Sequence, residues 1–75
     1  MNNLSITGII KASGSGAMYL MFPGVSADGV CVHHQKPEFI GRSITTSEIK
    51  TEQVLNEKTK LVRTASGSVY LIFCD

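Results

Sequence analysis

Short apolar or β-branched runs alternate with Gly, Ser, Pro and Asp along the whole chain. That pattern predicts strands joined by turns. Residues 4–11 read as a first strand, with Gly8 as a bulge. A Ser-Gly turn over 12–16 leads to a second strand, 17–22, apolar throughout. Pro23-Gly24 ends it, because proline cannot donate to a ladder and glycine takes positive φ cheaply. A loop over 25–29 precedes a short third strand, 30–33. A second loop, 34–42, is held by Pro37 and tucks Phe39 and Ile40 inwards. The last two strands, 59–64 and 69–74, form a hairpin through the turn Ala65-Ser66-Gly67-Ser68.

The stretch 43–56 carries two signals. Thr45-Thr46-Ser47-Glu48 places Glu three residues after Thr, a capping box that would start one short helix over 46–56. The β-branched residues Ile44, Thr45, Thr46, Ile49, Thr51 and Val54 favour a strand, and no helical face collects Ile49, Val54 and Leu55. The strand is the preferred reading. The chain is thus expected to be all-β: a small barrel or sandwich of five or six short antiparallel strands, SH3-like or built from two hairpins.

The second possibility comes from an internal repeat. Lys11-Ala12-Ser13-Gly14-Ser15 followed by Tyr19-Leu20-Met21-Phe22 matches Arg63-Thr64-Ala65-Ser66-Gly67-Ser68 followed by Tyr70-Leu71-Ile72-Phe73. Each copy sets a basic residue before a Ser-Gly turn. Equivalent hairpins would expose turn amides and hydroxyls that can cradle an anion. The candidate ligand-binding residues are Lys11, Ser13, Ser15, Tyr19, Arg63, Ser66, Ser68 and Tyr70. His33 and His34, beside Lys36, are added as groups that could touch a phosphate.

The hairpin strands also lack polar alternation, which indicates burial on both faces. A chain of 75 residues has little interior with which to cover them. One face, carrying Tyr19 and Met21 or Tyr70 and Ile72, is expected to remain an apolar patch and therefore an interface. Self-association is the simplest way to cover it.

Composition narrows the classes. Seventy-five residues make a single domain spanning 1–75, and a net charge of +1 gives no pull toward nucleic acid or an anionic membrane. The N-terminus lacks the basic and apolar regions of a signal peptide, and no apolar run reaches the roughly 18 residues of a membrane span. Cytoplasmic residence follows as an expectation. Two cysteines, Cys31 and Cys74, are too few for a disulfide framework; reduced thiols are expected, with a Cys31–Cys74 bridge left open.

Catalysis finds no support: there is no nucleophile elbow and no carboxylate pair in an apolar setting. Glu48, Glu52 and Glu57 alternate with Lys50, Lys58 and Lys60 as a solvated face would. No cofactor is implied. Cys31-x-His33-His34 falls short of a metal site, since adjacent histidines on a strand point to opposite faces.

Gly41-Arg42-Ser43-Ile44-Thr45-Thr46-Ser47-Glu48-Ile49, followed by Val62-Arg63-Thr64-Ala65-Ser66-Gly67-Ser68-Val69-Tyr70-Leu71, resembles a pattern of short bacteriophage and prophage proteins. In these a Gly-x-x-Ile-x-Thr-Ser-x-Ile strand precedes a Thr-x-Ser-Gly-Ser-x-Tyr hairpin. The resemblance implies action by occupancy: inhibition of a host defence protein or host enzyme, or an oligomeric sponge for cyclic nucleotide signals. The leading expectation is a non-enzymatic, homo-oligomeric binding protein for counter-defence, holding a small anionic ligand such as a cyclic nucleotide or blocking a host protein. A small nucleic-acid-binding barrel, with Tyr19 and Tyr70 as stacking platforms, and a structural assembly subunit are the alternatives.

Overall fold

The computed structural model describes residues 6–12 and 21–74. Five strands follow in chain order: β1 Gly8–Lys11, β2 Ser26–His34, β3 Ser43–Asn56, β4 Thr59–Thr64 and β5 Val69–Phe73. One 3-10 turn, Pro37–Phe39, lies between β2 and β3. Each strand pairs antiparallel with the next, and β5 returns to β1 to close a barrel. The closing pair is parallel. Parity requires this, because in an up-and-down meander of five strands the first and the fifth run the same way. The fold is therefore an all-β, closed small barrel.

Two long strands make the closure possible. β2 pairs with β1 through Val30–His34 and with β3 through Ser26–Val30. β3 pairs with β2 through Ser43–Glu48 and with β4 through Ile49–Asn56. Register shifts between Ile49 and Thr51, and between Ser26 and Asp28, lie close to where β3 changes partner. Bulges bend a strand and increase its twist, which is what a corner of a small barrel needs.

The register sorts side chains into layers. One inward layer runs Val62, Tyr70, Gly8, His34 across β4, β5, β1 and β2; the next runs Lys60, Ile72, Ile10, Cys31. Ile10, Cys31, Ile49, Val62 and Ile72 are fully buried and form the centre. Burying each of the four aliphatic side chains among them contributes roughly 1.5–3 kcal/mol. Both cysteines are buried free thiols.

Several sequence expectations change. Residues 26–29, expected as loop, are the first half of β2: Asp28-Gly29 sits inside the strand, where Gly29 packs against β1. The stretch 43–56 is one 14-residue strand, so ladder pairing on both sides of β3 overrides the capping box. Phe39 is half-buried as expected, but Ile40 is exposed because the 3-10 turn rotates it outward. Tyr70 and Ile72 face the core, so the outward face of β5 carries Leu71 and Phe73 instead. Lys60, read as solvated, is only 6% exposed, and its ammonium donates to Met21 O at 2.6 Å and lies 3.5 Å from Glu52 Oε1.

The two-hairpin expectation also fails at β1. That strand is bonded to β2 on one edge and to β5 on the other, so no edge is left for a hairpin mate. Of the expected strand 17–22, residues 17–20 lie outside the described residues, and Met21 and Phe22 are not in a strand.

Gly29 marks where β2 crosses closest to β1. Its φ is +156, and a Cβ there would collide with the Lys11 carbonyl oxygen and sit 2.7 Å from Ile10 Cγ2. Gly24, at φ +107, has open space around it. Gly29→Ala is therefore expected to destabilise the barrel by roughly 1–3 kcal/mol from overpacking, on top of backbone strain. Gly24→Ala should cost only the left-handed penalty of about 1–2 kcal/mol. Urea denaturation checks the order; equal losses would contradict the close β1–β2 contact.

Candidate functional site

The histidine pair splits across the sheet, as strand alternation demands. His33 is exposed on the outside and His34 is buried inside. The Lys36 N–H donates to His34 Nδ1 at 2.9 Å, so Nδ1 carries no proton. The ring proton is then on Nε2, which donates to Tyr70 Oη at 3.2 Å. Phe39 packs at a tilt on the His34 ring, with centroids 4.8 Å apart. A Cβ on Gly8 would lie 2.9 Å from His34 Cδ2 and 3.0 Å from Tyr70 Cε1. Glycine at that position is what lets the two rings meet across β1.

Burial raises the Tyr70 phenol above its ordinary value of 10.0, and the Cys31 thiol adds to the rise. Tyr70 is a buried hydrogen-bond acceptor, so it is not available as a stacking platform for bases. His34, committed to Tyr70 and Lys36, is equally withdrawn from any ligand phosphate. Among the described residues, no three His, Cys, Asp or Glu side chains stand close enough to hold a metal ion.

The β4–β5 turn is a knot of hydroxyls. Ser66 Oγ lies 3.1 Å from both Ser47 Oγ and Thr64 Oγ1, and 3.3 Å from Ser68 Oγ. Three of its amides are committed within the chain: Ala65 N–H donates to Glu48 O, Ser66 N–H to Ser47 Oγ, and Gly67 N–H to Thr64 O. With three amides turned to partners in the chain, this turn lacks the ring of converging amides that an anion cradle uses. Ser13, Ser15 and Tyr19 lie outside the described residues.

Lys11 and Arg63 do not converge. Lys11 stands opposite Phe73 and Arg63 opposite Val69. Four residues along β5 separate the two levels, roughly 13 Å at about 3.3 Å per residue.

Between those levels lies a feature that sequence reading assigned to the wrong residues. On the outer surface Leu61, Leu71 and Ile9 stand side by side on β4, β5 and β1, with Phe73 one step along. All four are half-buried. Val30, opposite Lys11, and Val32 extend the apolar surface onto β2, each 42% exposed. The signal was present in the unbroken apolar run of β5. Choosing which alternate set faces out required the register.

Concave sites are modest by comparison. The hollow lined by Met21, Phe22, Glu52, Val54 and Lys60 holds about 280 Å³, and that beside Thr51, Leu61 and Arg63 about 230 Å³. Both fall below the roughly 300–1,000 Å³ of small-molecule pockets. Comparison with protein-family models, curated proteins and solved structures finds no match to this chain.

Replacing Tyr70 by Phe leaves the buried His34 Nε2–H without a partner. A loss of about 1–3 kcal/mol is expected. The raised folded-state value of Tyr70 also makes the neutral phenol part of the native state. Its contribution is intact below the ordinary value of 10.0 and is lost as pH climbs through the folded value. The urea midpoint of the wild type should therefore fall more steeply above pH 10 than that of Tyr70→Phe. Parallel curves for the two proteins would refute the assignment.

Proposed function

We propose that this chain is a non-enzymatic binding protein that works as a homo-oligomer, assembled through the outer wall of β4, β5 and β1. The observation that carries this reading is the row Leu61, Leu71, Ile9 with Phe73 beside it. These four are half-buried and the exposed Val30 and Val32 lie on the neighbouring strand; apolar side chains gathered on one outer face in this way usually mark a docking surface. A second copy of the same wall is the simplest cover, since an isologous contact needs only one self-complementary surface.

Assembly is also how so small a barrel would acquire a ligand site. The hollows described above, of about 230 and 280 Å³, are small, and Lys11 and Arg63 stand at opposite borders of the wall. Copies meeting at the wall would bring basic residues of different chains around a shared cleft. A small anionic ligand such as a cyclic nucleotide fits that cleft chemically. In the counter-defence role that the phage-protein resemblance suggests, the assembly would act by sequestration. Blocking a host protein with the same wall is the competing use.

Size-exclusion chromatography with light scattering tests the assembly. The wild type is expected above monomer mass at micromolar concentration, and Leu71→Glu should lower that mass while leaving the far-ultraviolet circular dichroism unchanged. Equal masses would remove the wall from the argument. Calorimetry with cyclic and linear nucleotides tests the ligand: binding by the wild type and loss in Leu71→Glu are expected. Absence of heat from all of them would leave protein blocking as the use of the wall.

A further inference from the structure

Lys60 and Val62 of β4 are buried inside the barrel, so Leu61 and Arg63 turn to its outer face. The register sets Thr51 opposite Arg63 and Gln53 opposite Leu61, and Val69 lies on the other side of Arg63. These five residues line the hollow of about 230 Å³. Met21 and Phe22 belong to a different hollow, with Val54 and Lys60. Sequence reading grouped Arg63 with Ser66 and Ser68 of the following turn. The register groups it with Thr51 and Gln53 instead.

Charge is unbalanced at this place. Arg63 has no ion-pair partner among the described residues. The two carboxylates of β3 that flank Thr51 in sequence are engaged elsewhere. Glu48 Oε2 accepts from Lys50 Nζ at 3.4 Å, and Glu52 Oε1 lies 3.5 Å from the buried Lys60 Nζ. What β3 sets opposite the guanidinium is a hydroxyl and a carboxamide, both neutral and both able to donate. Leu61 and Val69 keep water from part of the hollow, which strengthens the pull of the cation on an anion.

The donor set selects among anions. Side chains directly opposite on adjacent strands have Cβ atoms about 4.5–5.5 Å apart, and diagonal neighbours about 7–8 Å. An anion held by Arg63 is therefore within reach of Thr51 and of Gln53. The guanidinium fork takes two oxygens. A carboxylate has only those two, whereas a phosphate presents a third to Thr51 and Gln53.

We propose that this hollow is a phosphate subsite, with Arg63 gripping two oxygens and Thr51 and Gln53 donating to another. The proposal rests on the reading of the chain as a binder of a small anionic ligand and names where the anionic group sits. Its volume is below that of a pocket for a whole small molecule, so it holds the phosphate group and leaves any remainder outside. Leu61 belongs both to the hollow and to the apolar row through Leu71 and Ile9. An apolar body attached to the phosphate continues along that row.

A residue-resolved NMR titration with inorganic phosphate, at constant ionic strength, tests the subsite. Saturating shifts are expected at Thr51, Gln53, Leu61 and Arg63, including the Gln53 carboxamide and the Arg63 Nε–H. Arg63→Gln should weaken binding about tenfold or more, the loss expected for a hydrogen-bonded charge pair. Arg63→Lys, which keeps the charge without the fork, should fall between the two. Lys58→Gln removes the same charge outside the hollow and should leave the affinity unchanged. Adenosine monophosphate binding more tightly than phosphate would mark a phosphorylated molecule as the ligand, and equal affinities free phosphate. Absence of saturating shifts in the hollow overturns the proposal. So does equal weakening by Lys58→Gln and Arg63→Gln, which reports general attraction to charge, and so does acetate binding as tightly as phosphate. Light scattering on the same samples reads the assembly separately: if the hollow is silent while Leu71→Glu still lowers the mass, the wall stands without the subsite.

Discussion

The closure of the barrel rests on four residues. β1 is bonded on both edges, antiparallel to β2 and parallel to β5. Without it the other four strands would be an open sheet with two long edges. In a chain that buries so small a share of its surface, those edges could not easily be left in water. Two glycines make the approach possible. Gly8 admits the His34 and Tyr70 rings on either side of β1, and Gly29 lets β2 run against the Lys11 backbone. The parallel pairing follows from the odd strand number and from the absence of any crossover.

Closure fixes where chemistry can happen. The inside is filled by Ile10, Ile49, Val62, Ile72 and Cys31, with His34–Tyr70 on one side and Lys60 reaching Glu52 and Met21 on the other. Among the described residues, every buried side-chain nitrogen and oxygen has a hydrogen-bond partner. Lys60 illustrates the logic: its stem fills the core layer beside Ile72, and its ammonium finds a carbonyl and a carboxylate at the rim.

Strand existence was legible in the sequence wherever an apolar run met a turn signal, as for β4, β5 and the Ala65–Ser68 turn between them. The strand character of residues 43–56 followed from β-branched residues outweighing one capping box. Three things were not legible, for physical reasons. The repeat suggested equivalent hairpins, but identical local signals cannot say that β1 already has two neighbours. The unbroken run Val69–Phe73 predicted an apolar outer face, yet which alternate set turned outward depended on register, and a one-residue phase exchanges Tyr70 and Ile72 for Leu71 and Phe73. Lys60 looked solvated among alternating charges, because a buried ammonium is recognisable only once its carbonyl partner is placed.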